Sequence, residues 1–287
     1  MSAVSRVSAG GLAIAQWAVL SSAGYPYSTT GVLTNGSQGG MGVFTAIKQA
    51  SPSRPEPRRE DATGNDGAFR HTYVFTAEQL PEVEFLFAVF DADAYAQMLG
   101  LKKFVEGPLS GYLLQSNRAP DAVQTCVIIS GLAKSADSGS AGLKRYRNII
   151  YPILNLEYLG ENWEEAAIAG FNFKGYAAQA SKLPWGEALS VTTHGATRAA
   201  AFGYLSHYPL SMSVLVGNNA ATTINLDYTP AGNQTDGYVK VWVDGVAVPN
   251  GQYTVSTSAK TVVFTTPPST GAVTVVRYEA TDLIASN

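Results

Sequence analysis

The stretch RYRNIIYPILNLEYLGENWEEAAIAGFNFKGYAA, residues 145–178, decides how the rest of the chain is read. In its second half Ala167, Ala169, Phe171, Phe173 and Ala177 alternate with Ile168, Asn172, Lys174 and Tyr176. A period of two marks a strand with one wet face. In the first half Ile150, Leu154, Leu156 and Tyr158 fall on one side, while Ile149, Tyr151 and Ile153 fall on the other beside Arg147, Asn155 and Glu157. The polar run Gly160-Glu161-Asn162-Trp163-Glu164-Glu165 separates the halves and predicts a turn, so the whole reads as a long hairpin. Apolar side chains on a second face, with open backbone edges, make a strand seek neighbours. The expected neighbours are copies of the same chain.

Composition supports a covered, β-rich surface. Charged residues are 14% of the 287, against about 25% in ordinary soluble proteins, while Gly (28) and Tyr (15) are plentiful. The length suits one large domain plus a small one, or two of moderate size. A net charge of -3 and a pI near 5.6 argue against a dedicated nucleic-acid binder, which needs a basic patch. The single cysteine, Cys126, rules out a disulfide within the chain. Its setting, Thr125-Cys126-Val127-Ile128-Ile129, is that of a small buried hydrophobe. The run from Gly10 to Leu20 imitates a secretory signal, but Gln16 and Trp17 interrupt it, and it is expected to stay on the chain. No apolar segment reaches the roughly 20 residues that span a bilayer.

Outward from the hairpin, Leu12 to Leu20 predicts a first strand, and Ser21 to Gly42 reads as turns with at most one short strand. The most polar stretch, Ser51 to Phe69, carries Arg54, Glu56, Arg58, Arg59, Glu60, Asp61 and Asp66 among Pro52, Pro55 and Pro57. Proline denies ladder hydrogen bonds, so this is expected to be a long loop: either a solvated one or, the favoured reading, an arm that orders on docking to a neighbouring subunit. Phe69 to Phe75 predicts a strand, and Thr76-Ala77-Glu78-Gln79 has capping-box spacing cut short by Pro81. Val83 to Phe90 is strand or buried helix. Asp91 to Leu99 is the best helix candidate, capped by Asp91 and stopped by Gly100. Phe104 to Leu114 and Ala122 to Ala133 predict strands, and Ser135 to Gly142 an exposed loop. Ala188 to Thr193 and Gly195 to Gly203 have no clear assignment.

Near Val216 the texture changes. Five short β-branched and aromatic runs follow, at 222–228, 238–243, 253–256, 261–265 and 273–278, punctuated by Pro230-Ala231-Gly232, Asp244-Gly245, Asn250-Gly251, Pro267-Pro268 and Thr270-Gly271. Such regular punctuation predicts a small β-sandwich. The division expected is 1–216 and 217–287, with Gly217-Asn218-Asn219 as the joint.

No catalytic constellation stands out. His71, His194 and His207 are scattered without metal-ligand spacing. Asp91 and Asp93 are explained by a helix start, and Gly36-Ser37-Gln38-Gly39-Gly40 lacks the lysine of a phosphate loop. Trp163 at the hairpin tip reads either as a contact residue or as packing over the turn. No cofactor and no metal are expected.

With these pieces placed, the chain resembles a tail tube protein (major tail protein) of a long-tailed bacteriophage. The resemblance rests on the long hairpin, the charged loop, the single helix and the C-terminal pattern Val241-Trp242-Val243-Asp244-Gly245, Asn250-Gly251-Gln252-Tyr253-Thr254-Val255 and Pro267-Pro268-Ser269-Thr270-Gly271-Ala272. That pattern, over about 60 residues, is similar to the immunoglobulin-like modules that decorate phage tails and fibres. Over residues 1–215 the likeness is architectural. It implies a mostly β fold: a tail-tube-like β-sandwich or barrel with one α-helix and a long hairpin, plus a small Ig-like β-sandwich. It further implies hexameric rings stacked into a tube that conducts DNA, a structural protein rather than an enzyme. The loop residues Arg54 to Asp66 would mediate ring stacking, and Arg147, Asn155, Glu157, Asn172 and Lys174 would line the lumen. Tape measure, tail terminator or distal tail proteins would be partners, with DNA passing unbound and no membrane involved. The protein would sit in the virion tail after assembly in the host cytoplasm. An outward C-terminal domain would obstruct a sheath, which implies a non-contractile tail. Removing residues 218–287 is then expected to leave assembly intact. The alternatives are a virion-surface adhesin or glycan-binding sandwich that uses exposed Tyr and Trp, or a capsid or baseplate protein.

Overall fold

The computed structural model describes residues 14–21, 24, 33–43, 47–53, 58–63, 69–75, 81–87, 102–106, 109–113, 124–132, 146–164 and 167–283. Among these the protein is mostly β, in several antiparallel sheets, and no sheet closes into a barrel. The helix expected at Asp91 to Leu99 and the capping box at Thr76 lie outside the described residues. The helix that is described, α1 (Val191–His194), is a single turn.

The largest sheet runs β3 (Gly42–Val43), β1 (Ile14–Val19), β10 (Gln124–Leu132), β11 (Tyr146–Glu164), β12 (Ala167–Ala177), β7 (Glu82–Phe87) and β4 (Ile47–Ser53), with β13 (Phe202–Ser206) joined to β11 as an eighth strand. The hairpin β11–β12 forms as the alternation requires, but it is longer than its polar run suggests. Gly160 through Glu164 continue β11, and Glu164 pairs with Ala167. The polar composition of that run is overruled by cross-strand pairing, which extends the ribbon to the Glu164–Ala167 pair.

The ribbon is not bare. Tyr146 to Asn155 pair with β10 on one side, and Tyr146 to Ile150 with β13 on the other. Phe171 to Tyr176 pair with β7. Its basal half is therefore completed by strands of its own chain. Among the described residues, 156–164 on the side away from β12 and 167–170 on the side away from β11 have no further strand beside them, and a gap at 151–153 separates β13 from β12 along β11.

A bulge sets the faces of β11. Thr125 pairs with Leu154 and Val127 with Tyr151, so Pro152 and Ile153 together oppose Cys126. The extra residue reverses the alternation. Tyr151 shares one core with Leu154 and Leu156, whereas Ile150 and Ile153 belong to the core on the other side. The uninterrupted alternation read from the sequence is thus corrected at Pro152.

The loop expected over Ser51 to Phe69 is also corrected. β4 extends to Ser53, with Pro52 on the sheet's outermost strand, where a missing donor does least harm. β5 (Arg58–Thr63) pairs with β6 (Phe69–Phe75), Arg58 opposite Phe75 and Glu60 opposite Tyr73. The single strand expected from Phe104 to Leu114 is instead a hairpin, β8 (Lys102–Glu106) and β9 (Leu109–Leu113).

The second sheet has the order β17 (Val246–Ala247), β16 (Val239–Val243), β20 (Val273–Glu279), β14 (Leu210–Val216), β2 (Gln38–Gly40). The third is β15 (Thr223–Asn225), β19 (Thr261–Phe264), β18 (Tyr253–Ser256). All five C-terminal runs are strands, and Asp244-Gly245 forms the expected turn, with φ of 48 and 80. Three layers result. Met212, Val214, Trp242 and Val275 of the second sheet pack on Ala18, Cys126, Ile128 and Ile150 of the first. The other face of the second sheet, with Leu215, Val241 and Val276, packs on Ile224, Val262 and Phe264 of the third. Each such aliphatic side chain contributes about 1.5–3 kcal/mol through burial. Because β14 serves both cores, the C-terminal sandwich takes β14 and β2 from before residue 217.

Buried polar groups pin these layers in register. Gln16 donates through Nε2 to Leu210 O (2.5 Å), and its Oε1 accepts from Ser211 Oγ (2.8 Å). Asn148 Oδ1 accepts from Ser130 Oγ (2.6 Å) and from Leu210 N (3.1 Å), and its Nδ2 donates to Ser206 Oγ (2.6 Å). Gln16 and Asn148 are fully buried, so breaking either set strands a polar group in the interior.

Candidate functional site

One face of the first sheet is covered by the second sheet only at the end of β11 that contains Ile150 and Ile153. Past Ile153 the same face turns polar. Asn155 and Glu157 on β11, Asn172, Lys174 and Tyr176 on β12, and Glu82 and Glu84 on β7 all stand on it. The register fixes this arrangement: Asn155 is opposite Tyr176, Glu157 opposite Lys174, Lys174 opposite Glu84, and Tyr176 opposite Glu82. Glu157, Tyr176 and Glu84 are exposed, and the others are half-buried.

The contacts run diagonally. Lys174 Nζ lies 2.9 Å from Glu82 Oε2, and Tyr176 OH donates to Glu157 Oε2 at 3.0 Å. The ammonium also stands 5.1 Å from the centre of the Tyr176 ring. The hydrogen bond to Glu82, ahead of the nearby negative charges, raises the Lys174 pKa. The hydrogen bond to Glu157 does the same for Tyr176. Three carboxylates face one ammonium, so the patch is acidic. Among the described side chains it offers hydrogen bonding and net negative charge, and its ammonium is already paired with Glu82.

Asn155, Glu157, Asn172 and Lys174 come together as the sequence suggests. Arg147 does not join them, because the bulge at Pro152 puts it on the opposite face. There it is exposed, and its strand neighbours are Gly131 and Leu205. Arg58, Arg59, Glu60 and Asp61 lie along β5, while Arg54, Glu56 and Asp66 lie outside the described residues. Trp163 is within β11, opposite Ile168, and so belongs to a strand instead of a turn. Tyr176 stands on the wet face its alternation with Phe173 and Ala177 predicts, whereas Glu82 and Glu84 were missed as members of the patch. The alternation Glu82-Val83-Glu84-Phe85 carried the signal, since Val83 and Phe85 are buried and the glutamates point the other way.

Three strands edge this sheet among the described residues: the two-residue β3 pairs with β1 alone, β13 with β11 alone, and β4 with β7 alone. β13 reads Phe202-Gly203-Tyr204-Leu205-Ser206, with neither charge nor proline, and Leu205 is 58% exposed. Proteins commonly guard such edges with a lysine or a proline, and β4 has both Lys48 and Pro52.

Where the first and second sheets meet, Arg277 is stacked among aromatic rings, 4.6 Å from the Trp185 centroid, 5.2 Å from Trp242 and 5.3 Å from Tyr204. Burial pushes its pKa down, and Tyr204 and Glu187 oppose that shift. Gly245 touches this region closely: a Cβ there would stand 2.2 Å from Gly186 O. Gly36 to Gly40, considered for phosphates, instead supplies β2. In the C-terminal sandwich an apolar groove of about 530 Å³ lies between Val246, Val248, Pro249, Phe264 and Pro268. Trp242, Tyr253 and Tyr278 are buried in the cores, so they are not displayed for stacking on a sugar. Among the described residues no group of three or more His, Cys, Asp or Glu side chains could hold a metal ion, and no helix is long and apolar enough to cross a membrane.

No family model matches the chain, and no match to a curated protein is found.

Proposed function

We propose that the chain is a structural protein that assembles with copies of itself into stacked, hexameric rings, forming the tube of a long non-contractile phage tail through which DNA passes. The observation that carries this reading is the first sheet. It combines an acidic, hydrogen-bonded face with an uncharged open edge at β13, while a β-sandwich covers the far end of the same face. An acidic lining suits a conduit, because each phosphate neutralised by a cation would add affinity and slow passage. Since the base of the ribbon is already flanked by β10, β13 and β7, copies would meet at the outer edges of the sheet and along the projecting hairpin end. No group for turnover is needed. Tape measure, terminator or distal tail proteins would meet the ends of the tube.

The glycan-binding alternative, which needs exposed Tyr and Trp, is weakened by burial of Trp242, Tyr253 and Tyr278, and retains only the half-buried Tyr228 and Tyr238 among the described C-terminal aromatics of those two types. Electron microscopy of the purified chain separates the two. Rings or tubes support assembly, and a closed shell would move the reading to a capsid protein. Dispersed monomers that bind a glycan array would replace it with the adhesin.

A further inference from the structure

The chain contains the pair Asn-Gly at Asn35-Gly36 and again at Asn250-Gly251. In such a pair the glycine nitrogen can attack the asparagine side-chain carbonyl, because no Cβ crowds its approach. Whether it does depends on what else holds that nitrogen. Gly36 is half-buried, its N–H donates to Val216 O at 2.7 Å, and a Cβ there would stand 2.6 Å from Asn218 Nδ2. Ser37 N–H ties the same turn back to Thr34 O at 2.9 Å. Attack by Gly36 would break the bond that joins this turn to the end of β14, so the fold shields Asn35.

The second pair lacks this support. Asn250 and Gly251 are both exposed, on a single 3-10 turn, Asn250–Gln252. Gly251 N–H has no hydrogen-bond partner among the described residues, and a Cβ on Gly251 would meet nothing within 4 Å. So short a turn opens at little cost. The carbonyl is prepared as well: Tyr253 OH, shared with Val239 O, donates to Asn250 Oδ1 at 3.2 Å. A donor there draws charge from Cγ and stabilises the oxyanion that forms on attack.

We propose that Asn250 is a site of spontaneous deamidation in the folded protein, and that Asn35 is not. The Gly251 nitrogen gives its proton to water, its electron pair forms a bond to Asn250 Cγ, and the side-chain nitrogen leaves as ammonia. Water then opens the cyclic imide to aspartate or isoaspartate. Either product places a carboxylate between Pro249 and Gly251, which line the apolar groove of the C-terminal sandwich. The modification needs no partner and stands whatever the chain assembles into.

Peptide mapping by mass spectrometry of the folded full chain, aged in mildly alkaline buffer, tests it, with the same ageing in denaturant as the reference. In denaturant the two asparagines should convert at similar rates. In the folded protein Asn250 should convert at least about tenfold faster than Asn35, the protection that one engaged amide hydrogen bond provides. Gly251→Ala, whose added Cβ has open space around it, should keep the fold and slow conversion at Asn250. Equal rates at the two sites in the folded protein would overturn the proposal. So would an Asn250 that stays intact in the folded protein while the denatured chain converts.

Discussion

Arg147 and Glu157 lie on one strand at positions of equal parity, yet they face opposite sides of the sheet, because Pro152 and Ile153 together oppose Cys126. That bulge leaves the polar face with Glu82, Glu84 and Glu157 around Lys174, and with no arginine from β11. The acidic balance of the face is thus a product of strand geometry as much as of composition.

Reversing that balance should change how the protein treats DNA. The variant carrying Glu82→Lys, Glu84→Lys and Glu157→Lys is expected to bind duplex DNA, with affinity that falls steeply as salt rises. The wild type should show no such binding. The new lysines at 84 and 157 would stand directly opposite Lys174, so a lower Tm is expected as well, with the fold retained because all three positions are exposed or half-buried. Equal DNA affinity in wild type and variant, read by fluorescence anisotropy, would detach the face from the conduit role.

The C-terminal sandwich does not behave in the structure as a removable ornament. β14 is hydrogen-bonded between β2 and β20, and Trp242 and Val275 fill the core against the first sheet. Ending the chain at Gly217 is therefore expected to abolish cooperative unfolding, contrary to the expectation raised by the sequence alone. Gly245→Ala is a milder probe of the same joint. With φ at 80 and Gly186 O in the way, it should cost about 1–3 kcal/mol by denaturant titration.

Asp282 gives the sandwich an acid sensitivity. Burial by itself would raise its carboxyl, but hydrogen bonds from Lys260 and from the Thr229 hydroxyl and amide prevail and hold it below the usual range. A depressed pKa in the folded state means stabilisation that is present above the ordinary aspartate value of about 3.9 and lost as pH falls through the folded value. Between about pH 5 and about pH 2, the wild type should lose more Tm than Asp282→Asn. Parallel Tm curves for the two proteins would remove this role.

Cys126 lies fully buried between the first two sheets, where burial pushes its thiol up and leaves it unreactive. A thiol reagent should modify it at the rate of global unfolding and no faster. Cys126→Ser should cost about 1–3 kcal/mol, by placing a hydroxyl among Ile128, Ile150 and Met212. Rapid labelling of the folded protein would contradict this packing.

Elements bounded by their own punctuation were legible in the sequence. The five C-terminal strands lie between Gly, Pro and Asn-Gly turns, and β12 declares itself by alternation. Features set by a partner strand were not. Pro152 reads as an ordinary residue until β10 shows that Cys126 alone opposes it with Ile153. Gly160 to Glu164 look like a turn until β12 pairs with them. Arg58 to Thr63 look like a loop until the aromatic and β-branched run Phe69 to Phe75 lies alongside. Gln16 seemed only to interrupt an apolar run, and its bonds to Leu210 and Ser211 form only once β1 and β14 meet. The polar patch was half legible: Asn155, Glu157, Asn172 and Lys174 follow from the hairpin, whereas Glu82 and Glu84 join it through pairing across sequence-distant strands.

The central claim, that copies of this chain join along the first sheet, is tested most directly by sedimentation of the purified wild type beside Leu205→Lys, which puts a charge on the bare edge of β13. The wild type should sediment as rings or longer tubes, and Leu205→Lys as a folded monomer with an unchanged circular dichroism spectrum. A wild type that stays monomeric at high concentration, or a Leu205→Lys protein that assembles equally well, would contradict it.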